Sequence, residues 1–180
     1  RQPGHQAANV AVEEVNLLFP EQLAEDYADV LSDRLGGRRM VGEPMHIHLK
    51  EGPIKPVKAM GARKIPLHMQ EQADELMEGL LADGVITRET GPTDWCSRAA
   101  FVEKPGGKAV RLVTDFTPLN KYVVRPIHPF PATPEILQRI RPDSRYFCKL
   151  DALNGYFQIP LDEESSRLTT FLLPSGKYRY

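Results

Sequence analysis

Sixteen prolines punctuate a chain of 180 residues. Each fixes its own φ, lacks an amide donor and pushes the residue before it toward extended backbone. The fold to expect is therefore a set of short elements joined by extended passages. A hydrophobic share of 41% is enough for a core, and a charged share of 26% is ordinary. The length suits one domain or pieces of two. No apolar run approaches the roughly 18 residues of a membrane helix, and no secretory signal opens the chain. The first residue is Arg rather than Met, which reads as a start inside something longer.

Residues 1–44 form an acidic, amphipathic lead-in broken by Gly36, Gly37 and Pro44. Val15, Leu17, Leu18 and Phe19 cluster, and Leu23, Tyr27, Val30 and Leu31 then fall at helical spacing, which predicts a helix near 21–34. A weak strand over 45–49 follows, and Pro53 and Pro56 force an extended passage. The clearest helix spans 67–83. Ala73, Leu76, Met77, Leu80 and Leu81 share one face, and Gly84 stands where a left-handed stop is wanted. Two strands, 97–103 and 108–115, flank Pro105-Gly106-Gly107 as a hairpin. Thr133 as N-cap and Pro134 at the first helical position begin a short helix that would bury Ile136, Leu137 and Ile140. A strand over 146–151, a turn through Asn154-Gly155 and a last hairpin, 168–173 with 177–180, complete the chain.

Chemistry concentrates in two places. In KLDALNGYFQIPL, Asp151 closes an apolar β-like run and Tyr156 follows five residues later. A carboxylate at a strand end suits a hard cation bound against a phosphate, because such a cation wants oxygen ligands on a rigid support. An aromatic five residues on could press against a nucleotide sugar and disfavour a ribose 2′-hydroxyl. The second place is the hairpin. With a two-residue loop at Gly106-Gly107, Lys104 lies opposite Ala109 and shares a face with Arg111; a three-residue loop would put the two cations on opposite faces. A guanidinium fork and a movable ammonium together suit a triphosphate. Two solvated surface charges are the plain alternative. PGGK lacks the glycine spacing and the GK[ST] ending of a P-loop. Asp162, Glu163 and Glu164 read as a helix start.

The remaining signals are weaker. Cys96 and Cys148 show no ligand spacing and read as reduced thiols. His46 and His48 would share a strand face without a third metal ligand nearby. The net charge is −1, but from residue 101 onward twelve Lys and Arg stand against eight Asp and Glu, enough for a local basic face.

FVEKPGGKAVRLVTDFTPLNK, HPFPATPEILQRI and KLDALNGYFQIPLDEESSRLTTFLLPSGKYRY, taken together, resemble the reverse transcriptase region of gypsy-type LTR retrotransposon polyproteins. The similarity runs over 45–180, with element order and separate motifs agreeing. It implies an α+β chain, a partial right-hand polymerase: a lead-in over 1–44, fingers over 45–124, the start of the palm over 125–160 and a return to the fingers over 161–180. It implies an RNA-directed DNA polymerase, a nucleotidyltransferase that adds deoxynucleotides to a primer by two-metal phosphoryl transfer. The catalytic, metal-binding carboxylate would be Asp151, with the carbonyl of Ala152 as an extra ligand for Mg²⁺ or Mn²⁺. Lys104, Arg111, Asn154, Gly155 and Tyr156 would meet the deoxynucleoside triphosphate, Tyr156 as steric gate, with Phe157 and Gln158 beside it. Asp115, Phe116 and Asn120 would lie along the template.

Partners implied are an RNA or DNA template-primer, deoxynucleoside triphosphates and the remaining palm, thumb and RNase H parts of the polyprotein, with no membrane. The location implied is intracellular: cytoplasm, virus-like particle or nucleus. Thr117 stands where the family usually has Arg. The aromatic-x-Asp-Asp motif, which carries the second carboxylates, is not reached by Tyr180, so the chain is expected to be inactive alone. The alternative is a non-catalytic nucleic-acid-binding or assembly piece of a retroelement polyprotein. An RNA-dependent RNA polymerase would carry Asp in place of Tyr156, and a haloacid-dehalogenase-like phosphatase would carry Asp in place of Leu153.

Overall fold

The computed structural model describes residues 21–32, 34–107, 109–145, 147, 149 and 151–180. It divides into two compact units, Arg1–Leu35 and Gly36–Tyr180. In the first, residues 21–26 are helical and a turn follows. The helix is shorter than the 21–34 that spacing suggests. Tyr27, Val30 and Leu31 are 54%, 71% and 41% exposed. Without burial a short helix loses its main support. The Val15, Leu17, Leu18 and Phe19 cluster lies outside the described residues.

The second unit is built on a five-stranded sheet beneath one long helix. A 3-10 turn, Leu67–Met69, leads into helix α1, Gln70–Ala82, so the helical stretch starts at 67 but takes α geometry only at 70. Ala73, Met77 and Leu80 are buried, Leu76 and Leu81 half-buried, as the spacing requires. Gly84 has φ +66°, and the amide of Val85 donates back to Leu80 O at 2.9 Å, which ends the helix. Strands β1 (Thr87–Arg88), β2 (Ser97–Glu103), β3 (Val110–Asp115), β4 (Phe171–Leu173) and β5 (Gly176–Arg179) lie in the order β1-β5-β4-β2-β3. All neighbours are antiparallel except β2 and β4. The core is one face of this sheet against α1: Met77, Leu80, Ile86, Ala99, Phe171, Leu173 and Tyr178. A smaller cluster of Met69, Ala73 and Val110 continues it toward β3. The mixture of helix and sheet is the α+β class the sequence predicts.

Among the described residues, three short α-helices follow β3. Helix α2 is Thr117–Asn120 and α3 is Thr133–Gln138. In α3 the cap is Ala132, not Thr133, whose hydroxyl makes no capping bond; Thr133 is already helical, with Pro134 behind it. Ile136, Leu137 and Ile140 are also not buried: they are 40%, 59% and 42% exposed. Their apolar spacing has no covering element among the described residues. In the predicted strand over 146–151, Tyr146, Cys148 and Leu150 lie outside the described residues. Phe147, Lys149 and Asp151 belong to no strand, because among the described residues the five strands pair only with one another. The last hairpin is shorter than expected. Residues up to Leu168 belong to α4, Glu163–Leu168, and Leu173 pairs with Gly176 across a tight Pro174-Ser175 turn.

Segment 45–50 forms isolated bridges rather than a strand, Met45 with Leu161 and Leu49 with Val123. It is pinned at α4. Ile47 N donates to Ser165 Oγ at 2.7 Å, and His46 Nδ1 lies 2.6 Å from Asp162 Oδ2. Asp162 is also the N-cap, its Oδ1 accepting from Ser165 N at 2.8 Å. Ser165 and then His46 hold this carboxyl at about 2, below its ordinary 3.8. These contacts favour the ionised form, so their stabilisation is full above about pH 4 and fades as pH falls toward 2. Asp162→Ala is expected to lower the melting temperature at neutral pH, with the two proteins converging near about pH 2. A constant difference across an acid series of thermal melts would count against this cap.

Candidate functional site

Alternation along β2 and β3 decides which side chains look outward. Ala99, Phe101, Val110 and Leu112 turn toward α1 and the core. The opposite face therefore carries Arg98, Ala100 and Val102 on one strand and Arg111, Val113 and Asp115 on the other. The register pairs Val102 with Arg111 and Arg98 with Asp115. Lys104 N donates to Ala109 O at 2.8 Å, continuing the ladder. Lys104 and Arg111 thus share the outer face next to a turn in which Gly106 and Gly107 have φ of +94° and +67°. Lys108 lies outside the described residues. Neither Lys104 nor Arg111 forms an ion pair among the described residues, whereas Arg167 and Arg179 are both matched with Glu163.

At the other end of the hairpin, Asp115 begins a tight turn. The hydroxyl and amide of Thr117, with more distant help from Arg63 and Arg98, hold its carboxyl below the usual range. The amide lies 3.1 Å from Oδ1. Thr117, which stands where the resembled family usually has Arg, therefore anchors Asp115. Asn120 N closes the turn on Phe116 O at 2.8 Å. Phe116 and Asn120 follow Asp115 at the foot of the hairpin.

Asp151, Ala152, Asn154 and Tyr156 are exposed, and Gly155 half-buried. Asn154 adopts the left-handed conformation, φ 49°, at the entry to a 3-10 turn, Gly155–Gln158. That turn is tied down by Phe157, which stacks on Tyr180 at 6.0 Å. Tyr180 also meets Phe116 edge-on at 6.1 Å and Thr114 through its hydroxyl at 3.3 Å. Tyr180, which sequence reasoning did not single out, thereby joins the Asp151–Tyr156 segment to the foot of the hairpin. Burial raises its hydroxyl pKa. Tyr156, next to Phe157, is 92% exposed.

The predicted residues therefore fall into two groups. Asp115, Phe116 and Asn120 are linked to the Asp151–Tyr156 segment by an aromatic cluster. Lys104 and Arg111 sit together further up the hairpin. From Arg98 to Lys104 is six residues, about 20 Å of strand. No hydrogen bond or ion pair among the described residues joins Asp151 to either cation. Arg98 was missed by the sequence reading, although a period of two places it on the face of Lys104.

The donor chemistry of Asp151, an exposed carboxylate beside the Ala152 carbonyl, suits a hard cation but supplies only part of a ligand set. No group of three or more His, Cys, Asp or Glu that could hold a metal occurs among the described residues. His46 and His48 meet edge-on at 4.6 Å.

No family model matches the chain. Over 115 residues, 64% of its length, it is 36% identical to the transposon Tf2-3 and Tf2-4 polyproteins of Schizosaccharomyces pombe. It spans 8% of the length of those relatives. Among solved structures, prototype foamy virus protease-reverse transcriptase superposes with TM-score 0.74 at 24% identity, covering 93% of this chain and 22% of that one. The fold is shared with part of a protease-reverse transcriptase. Foamy viral protease-reverse transcriptase in complex with dsDNA superposes with TM-score 0.66 at 18% identity, covering 88% of this chain and 32% of that one. The same enzyme in complex with an RNA/DNA hybrid gives TM-score 0.55 at 18% identity, covering 88% and 21%. The chain is thus similar in sequence to part of the Tf2 transposon polyproteins and in fold to part of a protease-reverse transcriptase. No described helix is long and apolar enough to cross a membrane.

Proposed function

We propose that this chain is the fingers and early palm of a gypsy-type reverse transcriptase, holding a deoxynucleoside triphosphate against a template-primer. The observation that carries the reading is the shared outer face of Lys104 and Arg111, two cations without carboxylate partners among the described residues. The Tf2 polyproteins and the foamy virus enzymes support it from outside.

In the complete polymerase, Arg111 would fork onto phosphate oxygens and Lys104 would follow the charge moving onto pyrophosphate. Mg²⁺, held by Asp151 and the Ala152 carbonyl together with the substrate phosphates, would supply Lewis-acid stabilisation. Tyr156 would stand against the sugar and exclude a 2′-hydroxyl. Two-metal transfer needs at least two convergent carboxylates, and no group of three or more His, Cys, Asp or Glu that could hold a metal gathers at Asp151 among the described residues. The 180-residue chain alone is therefore expected to bind nucleotide but give no primer extension. Extension above a no-enzyme blank would contradict that.

The direct test is titration of the chain with dTTP and Mg²⁺ by calorimetry. Lys104→Ala and Arg111→Ala should each weaken binding about tenfold, as expected for a lost charge-assisted hydrogen bond. Arg111→Lys should also bind poorly, since an ammonium cannot fork. Wild-type affinity in all three variants would remove the assignment. In an active polymerase carrying this chain, Tyr156→Ala should raise ribonucleotide incorporation, and unchanged discrimination would end the steric-gate reading.

A further inference from the structure

The Tyr156 ring has nothing of its own to lean on. Its side chain is 92% exposed and makes no hydrogen bond, ion pair or ring contact among the described residues. Where the ring stands is therefore set by the backbone of the 3-10 turn that carries it, Gly155–Gln158. That turn is closed internally: Phe157 N donates to Asn154 O at 2.7 Å, and Gln158 Nε2 to Leu153 O at 2.6 Å. These bonds fix its shape but not its place against the sheet. On one side Gln158 O accepts from Met40 N at 2.7 Å, yet Met40 is itself exposed and belongs to no helix or strand. On the side of the sheet the turn is held by Phe157, whose ring packs against the core and stacks on Tyr180.

Tyr180 is built as a fixed post. Its amide donates to Thr169 Oγ1 at 3.1 Å, and its carbonyl accepts from Ser166 Oγ, so the end of α4 holds both backbone groups. Its ring lies 5.3 Å from the buried Phe171, and its hydroxyl reaches Thr114. Thr114 follows Arg111 by three residues on β3, so one paired strand carries a proposed triphosphate cation and also braces the post. The spacing between hairpin and turn is thus kept by packed rings rather than by a loop. A 2′-hydroxyl adds a single oxygen to the sugar, so a gate rejects it only if the ring is held to within about 0.5 Å. Resting on the polymerase reading above, we propose that Tyr180 is a positioning residue for sugar discrimination: through Phe157 it fixes how deep Tyr156 stands against the sugar of a triphosphate held at Lys104 and Arg111.

The test is single-nucleotide insertion of dATP and of ATP on one template-primer, by an active polymerase that carries this chain. The readout is the ratio of the two kcat/KM values, which does not depend on how much of a variant is folded. Tyr180→Leu should lower the preference for dATP about tenfold, since small misplacements at a reacting centre have effects of that order or more. Phe157→Leu removes the other ring of the stack and should match it. Tyr180→Phe keeps the ring and should keep most of the preference. Adding Tyr180→Leu to Tyr156→Ala should leave the ratio where Tyr156→Ala alone puts it, because the group being positioned is already gone. Equal losses for dATP and ATP would make Tyr180 purely structural and overturn the proposal. So would additive effects in the double variant, a loss in Tyr180→Phe as large as in Tyr180→Leu, or a wild-type ratio in both leucine variants. Tyr156→Ala separates the two layers. An unchanged ratio there ends the gate reading itself, whereas a relaxed ratio there beside wild-type ratios in Tyr180→Leu and Phe157→Leu removes only the positioning role.

Discussion

Phe171→Ala is expected to cost about 3–5 kcal/mol of folding stability, the range for emptying a fully buried aromatic site. Phe171 is 0% exposed, in strand β4 at the centre of the sheet between β5 and β2. Its ring stacks on Tyr178 at 5.9 Å and meets Tyr180 at 5.3 Å. Removing it leaves a void that β4 cannot close, since its backbone is paired on both sides. Against a total of about 5–15 kcal/mol for a domain, such a loss brings the protein near its unfolding threshold. The check is a urea melt, with Phe130→Ala as the contrast, since Phe130 is 83% exposed and should change stability little. A loss below about 1 kcal/mol in Phe171→Ala would mean that the core lies elsewhere.

The same ring shows what the sequence could convey. Helix α1 was legible because burial of Ala73, Met77 and Leu80 repeats with its own period, inside one segment. The β2–β3 hairpin was legible for a similar reason, a local turn between two alternating strands, and its register brought Lys104 and Arg111 together. The sheet order was not. It sets β4 beside β2, more than sixty residues earlier, and no local pattern encodes which distant strand will be neighbour. Helix α3 misled for the opposite reason. Ile136, Leu137 and Ile140 have the spacing of a core face, yet periodicity records only that a face is apolar, not what covers it. The link from Asp151 to the hairpin was equally hidden. It depends on Tyr180 touching Phe157, Phe116 and Thr114, contacts between segments far apart in the chain. The sequence thus offers candidate residues, while which of them are brought together depends on long-range contacts.

Asp151→Asn separates chemistry from folding most sharply. In an active polymerase that carries this chain, the proposed role of Asp151 as a ligand of a hard cation predicts that primer extension falls by about a thousandfold or more, because that ligand loses its charge. Changing a residue that only supports a ligand already costs about 10–100-fold, so direct ligation should exceed that. Stability should hardly move. Asp151 is exposed, and no hydrogen bond or ion pair among the described residues depends on it, so the change in folding free energy should stay within about 0.5 kcal/mol. The decisive pattern is an unchanged melting curve beside a collapsed rate. A rate reduced only a few-fold would place Asp151 outside the metal site, and a rate lost in step with stability would make it a structural residue. Tyr180→Ala gives the complementary case: it keeps Asp151 but removes the ring on which Phe157 rests. A fall in the extension rate there without loss of triphosphate binding at Lys104 and Arg111 would show that Tyr180 positions the carboxylate segment, while the hairpin holds its ligand independently.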